Sequence, residues 1–88
     1  MKALKKLREK IDQTDAAIIK KIAARQKLVQ QVGRLKMAIG IKVLDANREQ
    51  QQMEKFESIS AAYALDAIFI KRLFKMIITY SRKIQRKS

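Results

Sequence analysis

An all-α fold is what this sequence predicts: three helices per chain, one very long, in an intertwined antiparallel homodimer forming a helical bundle. Three observations lead there. The chain has no Pro and only two Gly, Gly33 and Gly40, so little breaks a helix early. Ala, Leu, Ile, Lys, Arg, Gln and Glu dominate, with no strand-like alternation bounded by turn residues. Apolar residues recur in steps of three and four over a stretch far longer than an 88-residue domain is wide.

The first helix is expected over about residues 4–39. Gly40 stops it, and Gly33 is an interior weak point costing about 1 kcal/mol relative to Ala. Asp45 reads as the N-cap of a second helix over about 46–62. Leu65-Asp66 reads as a hydrophobic staple and N-cap opening a third helix over about 67–86. The only real loop is 40–44, residues 82–88 are expected to fray, and the whole of 1–88 is expected to form one domain.

The dimer follows from length. A helix of about 36 residues runs roughly 54 Å, whereas a compact domain of this size is about 30 Å across. The overshoot still carries a core-type stripe, which cannot stay bare in water. Long helices crossing between two subunits would cover it. The alternative is a break near Ala23-Ala24 giving a four-helix monomer, but no Gly, Pro or cap residue marks one.

Composition removes much chemistry. With neither Cys nor His there is no disulfide framework, thiol nucleophile, imidazole base or zinc site of the Cys/His kind. Two glycines cannot build a Gly-rich phosphate loop. No apolar run approaches the roughly 18 residues that span a bilayer, and Met1-Lys-Ala-Leu-Lys-Lys opens no signal region. A soluble, cytoplasmic chain is expected. Lys and Arg number 21 against 8 acidic residues, a formal charge of +13. The excess lies in residues 1–44 and 67–88, while 45–66 is net acidic. Such a balance suits an anionic partner, whether nucleic acid, membrane surface or small polyanion, and equally a solvated Lys-rich surface.

The position of the charges narrows this. Alternating steps of three and four along the first helix give Leu4, Arg8, Ile11, Asp15, Ile18, Ile22, Arg25, Val29, Val32, Lys36 and Ile39. The same walk gives Ala46, Glu49, Met53, Phe56 and Ser60 on the second helix, and Ile70, Phe74, Ile77, Ser81 and Gln85 (or Ile84) on the third. Unpaired buried charge costs several kcal/mol, and Asp15 and Glu49 do not balance Arg8, Arg25, Lys36 and neighbouring Arg48. An anionic ligand with two carboxylates would, gripped bidentately by Arg and by Lys as a point charge. Arg25 and Lys36 lie about 16 Å apart along one axis, within reach of one small molecule. Arg8 is about 25 Å from Arg25 and reaches the same ligand only from the partner chain of an antiparallel dimer.

These residues resemble the small all-helical chorismate mutases over nearly the full chain. The resemblance is carried by Leu7-Arg8-Glu9-Lys10-Ile11-Asp12 with Asp15, by Ala24-Arg25, by Val32-Gly33-Arg34-Leu35-Lys36, by Asp45-Ala46-Asn47-Arg48-Glu49, and by Leu65-Asp66, Ser81 and Gln85. It implies the rearrangement of chorismate to prephenate, the step toward phenylalanine and tyrosine in the shikimate pathway. By that resemblance, Arg25 and the partner's Arg8 hold the two substrate carboxylates. Lys36 bonds a carboxylate and the ether oxygen, and Gln85 donates to the same oxygen. Glu49 accepts from the ring hydroxyl, aided by backbone near Asp45 and Arg48, and Ser81 touches the ring carboxylate. Asp15 falls outside this set and is expected to pair with a neighbouring Arg or Lys.

A pericyclic rearrangement needs no nucleophile, metal or redox cofactor, and none is expected here. It needs a flexible dianion held in reacting geometry and donors aimed at the ether oxygen where charge develops. Gln52 stands where an apolar residue is expected, and the Lys and Arg of the third helix have no evident catalytic use. Because the sequence stops soon after Gln85, no prephenate-processing domain is expected. Three rivals remain. An isochorismate pyruvate lyase would use Arg8, Arg25, Lys36 and Gln85 equally, though Asp45, Arg48, Glu49 and Ser81 favour the mutase. A basic nucleic-acid-binding dimer explains the charge but not its place on an apolar seam. A structural coiled-coil adaptor leaves the seam charges without purpose. Neither a specific nucleic acid nor a membrane is expected as partner.

Overall fold

A computed structural model describes residues 1–87 as three α-helices, α1 (Lys2–Ile39), α2 (Ala46–Ala62) and α3 (Ala67–Lys87). The all-helical order and the very long first helix are those the sequence predicts. α1 passes through Ala23 and Ala24 without a break.

Each helix end has a local cause. Gly40 adopts φ 75°, and its N–H meets the Met37 carbonyl at 3.4 Å while the Ile41 N–H meets that of Lys36 at 2.9 Å. Glycine takes this left-handed position without the penalty a side chain brings. Asp45 caps α2, its Oδ1 accepting from the Arg48 N–H at 3.0 Å. Asp66 Oδ1 accepts from the N–H groups of Ile68 at 2.9 Å and Phe69 at 3.4 Å. Between α2 and α3 the left-handed position falls on Ala64 (φ 54°), which costs about 1 kcal/mol that Gly would avoid.

α3 is the central element. It packs against both α1 and α2, which make no close backbone approach to each other. Phe56 and Phe74 stack with ring centroids 4.1 Å apart, and Lys71 pairs with Glu57 at 3.0 Å, joining α2 to α3. Against α1 the close point is Gly33, where an added Cβ would stand 2.7 Å from the Gln85 Cα. The glycine expected as a helix weak point is therefore the place where two backbones touch. That contact also explains why residues 82–87 remain helical instead of fraying; Ser88 lies outside the described residues.

The inward faces of α2 and α3 follow the expected registers. Glu49, Met53 and Phe56 are half-buried above buried Ser60, and Ile70, Phe74 and Ile77 lead to buried Ser81. α1 departs from expectation. Ile22, Arg25, Val29 and Lys36 are half-buried, but Leu4, Arg8, Ile11, Asp15, Ile18, Val32 and Ile39 are exposed, so this chain alone covers only part of the seam. Asp15 makes no ion pair among the described residues. The positions one turn away on either side are Ile11, Asp12, Ile18 and Ile19, which offer no cation.

The chain measures 57 × 25 × 16 Å with a radius of gyration of 16.4 Å, against about 12 Å for a compact domain of this length. It exposes 7584 Å², whereas a compact monomer of its mass exposes about 5,300 Å². Ile78 is the one large apolar side chain below a tenth exposed among the described residues. No described helix is long and apolar enough to cross a membrane.

Candidate active site

Between α1 and α2, with α3 as its floor, lies a cavity of about 150 Å³. Arg25 and Lys36 enter it from α1, Asp45, Arg48, Glu49 and Gln52 from the start of α2, and Ser81, Arg82 and Gln85 from α3. Of the eight site residues the sequence suggests, seven meet here. Arg8 does not: it sits on the exposed part of α1, about 25 Å along the axis from Arg25.

Local structure explains how each side chain is aimed. Arg25 is part-buried, and its Nη1 donates to Ser81 Oγ, which in turn donates to the Ile77 carbonyl at 2.8 Å. Burial, and then the nearby charge of Arg48, push the Arg25 guanidinium below its usual value. Lys36 stands one turn before the Gly40 cap, which folds the following loop back over it. Its Nζ donates to the Val43 carbonyl at 2.8 Å. Neither cation meets a carboxylate among the described residues. Asp45 lends its carboxylate to the helix cap, so its side chain organises the start of α2.

Gln85 is held against Gly33 by the backbone approach of α3 to α1. Its Oε1 is buried with no hydrogen-bond partner among the described residues. A buried amide oxygen left unsatisfied costs about 1–3 kcal/mol, so this end of Gln85 is open to a partner from the cavity, whether water or ligand.

The lining balances four cations, Arg25, Lys36, Arg48 and Arg82, against two carboxylates, Asp45 and Glu49. This surplus suits an anion of two charges. No group of three or more Asp or Glu is placed to hold a metal among the described residues. A larger open groove of about 880 Å³ runs along α2 and α3, past Met53, Met76 and Tyr80, on the far side of Arg82. It lacks Arg25, Lys36 and Gln85, so the smaller cavity is the candidate site.

Arg82 is the residue sequence reasoning missed. Its Nη1 donates to both Glu49 oxygens at 2.6 Å. A signal was present, since Ile78, Arg82 and Gln85 follow one another in steps of four and three on one face of α3. Gln52, out of place on an apolar face, is explained by its position on the cavity wall.

Comparison with known proteins places the chain in a family. The family model described as chorismate mutase type II matches residues 7–86. The bifunctional chorismate mutase/prephenate dehydratase of Escherichia coli (strain K12) is 38% identical over 72 residues, 82% of this chain and 19% of that protein. The corresponding bifunctional protein of Buchnera aphidicola is 30% identical over 80 residues, 91% of this chain and 21% of its own length. A chorismate mutase of Methanocaldococcus jannaschii is 28% identical over 83 residues, 94% of this chain and 84% of that protein. The chain thus spans about a fifth of the bifunctional relatives.

Proposed function

The chain belongs to the chorismate mutase type II family, and from that premise we propose that it is an isomerase converting chorismate to prephenate in aromatic amino-acid biosynthesis, in the cytoplasm and without a cofactor. The observation that carries this reading is the convergence of Arg25, Lys36 and the partnerless Gln85 amide on one small cavity with surplus positive charge.

The reaction breaks the ether C–O bond as a new C–C bond forms in the same dianion. No group is transferred to the protein, so its work is orientation and electrostatics. Arg25 grips one carboxylate, with Ser81 beside it fixing the guanidinium. Lys36 and Gln85 donate to the ether oxygen, where negative charge grows as the bond opens. The two ends of the Gln85 amide exchange by a simple flip, so its NH2 serves as that donor. Glu49 accepts from the ring hydroxyl, near the backbone of Asp45 and Arg48. Partial withdrawal of these side chains from water strengthens each of these interactions.

The second carboxylate is assigned to Arg8 of a second copy in an antiparallel homodimer. Support comes from the excess of about 2,300 Å² over a compact monomer, close to what one protomer buries in an obligate dimer. The exposed Leu4, Ile11 and Ile18 lie on the same seam as Arg8 and give that copy an apolar surface to cover.

The test is direct. Purified protein is incubated with chorismate and, separately, with isochorismate, and products are followed by absorbance. Loss of chorismate with formation of prephenate is expected. Salicylate from isochorismate without prephenate would replace the reading with a lyase, and inertness toward both would remove it.

A further inference from the structure

The cavity holds a carboxylate and two cations that do not pair. Glu49 lines the same 150 Å³ space as Arg25 and Lys36, yet those two bond only to Ser81 Oγ and the Val43 carbonyl. Opposite charges sharing a space partly withdrawn from water attract more strongly than in bulk water. Something must keep Glu49 from closing on them.

Arg82 is placed to do so. Both Glu49 oxygens accept from its Nη1 at 2.6 Å. The other nitrogen, Nη2, reaches Thr79 Oγ1 at 3.5 Å, and that hydroxyl donates to the Lys75 carbonyl at 2.8 Å, bracing the guanidinium on its own helix. Arg82 and Glu49 side chains are 24% and 26% exposed, so this is no solvent-screened surface pair. By contrast Lys71–Glu57, the other ion pair of the described residues, is 36% and 64% exposed and remote from the cavity. Arg48, next to Glu49 in sequence and on the same cavity wall, makes no ion pair with it among the described residues.

We propose that Arg82 is a positioning residue that anchors the Glu49 carboxylate on the α3 side of the cavity, leaving Arg25 free for a substrate carboxylate and Lys36 free for the ether oxygen. This rests on the functional reading above. Arg82 itself need not touch substrate. Without it, Glu49 becomes an internal competitor that must be displaced before the dianion binds.

The experiment is a double-mutant cycle on the full chain, with kcat and KM for chorismate and thermal denaturation for each protein. Arg82→Leu is expected to raise KM roughly tenfold, the scale of one charge-assisted hydrogen bond, with a smaller change in kcat. Arg82→Lys restores most of the loss by keeping a cation beside Glu49. In the Glu49→Gln background, where no carboxylate can collapse, the same Leu substitution should change KM less than about twofold. An equal rise in both backgrounds would show that Arg82 acts on the substrate or by its field alone, overturning the proposal. Unchanged KM in Arg82→Leu overturns it too. Should that variant misfold, Arg82→Gln is read the same way. A wild type without turnover removes the functional reading and this proposal together, whereas an active wild type insensitive to Arg82 removes the proposal alone.

Discussion

Arg25 shows the cost the site imposes on the protein. Its charge is partly withdrawn from water and faces Arg48, so the ligand-free fold bears an unfavourable interaction there. Arg25→Leu is therefore expected to hold or raise the melting temperature while turnover is lost; a stable and fully active variant would reject the role assigned to Arg25. Lys36→Ala should lower kcat on the order of 100-fold or more, as removal of one preorganised donor does, with helicity unchanged by circular dichroism. Arg25, Lys36, Glu49, Ser81 and Gln85 were legible because each breaks an apolar register, and a polar residue on a buried stripe needs a reason. Arg82 shares a face with Ile78 and Gln85, but that signal is masked by a run of Lys and Arg that reads as solvated surface, and its partner Glu49 lies 33 residues earlier.

At the scale of elements, the helices follow from local chemistry and their mutual placement does not. Gly40, Asp45 and Asp66 do what cap residues do in any helix, so α1, α2 and α3 begin and end close to where the sequence places them. Gly33 is different. By propensity, Gly33→Ala would stabilise α1 by about 1 kcal/mol. The added methyl would instead press on the backbone of α3 at Gln85. Overpacking of this kind costs about 1–3 kcal/mol, so the variant should melt at lower temperature and lose activity as Gln85 moves from Lys36. A Gly33→Ala protein more stable than the wild type would mean that α1 and α3 are not in backbone contact in solution.

For the whole molecule, the governing fact is that one chain covers less than half of its own seam. The C-terminal half of α1 lies against α3, while Leu4, Ile11 and Ile18 face outward around Arg8. A second copy supplying Arg8 leads to a complementation test. Arg8→Ala and Arg25→Ala proteins should each be nearly inactive. Mixed, unfolded and refolded together, they should recover about a quarter of wild-type activity, since half of randomly paired dimers are mixed and each mixed dimer rebuilds one of two sites. No recovery, or a monomer in sedimentation, would place the second carboxylate elsewhere.

The sequence by itself determined the helices, their caps, the overlong first element and the polar residues standing on apolar faces. These depend on neighbours within a turn or two, and the periodicity of the chain records such neighbours. Tertiary structure decided which of those residues share a cavity, why Gly33 must be glycine, and that Arg82 rather than Arg25 or Lys36 holds Glu49. The reason is physical: a backbone contact between α1 and α3 and an ion pair between α2 and α3 join residues remote in the chain, and their energies exist only once the helices are packed.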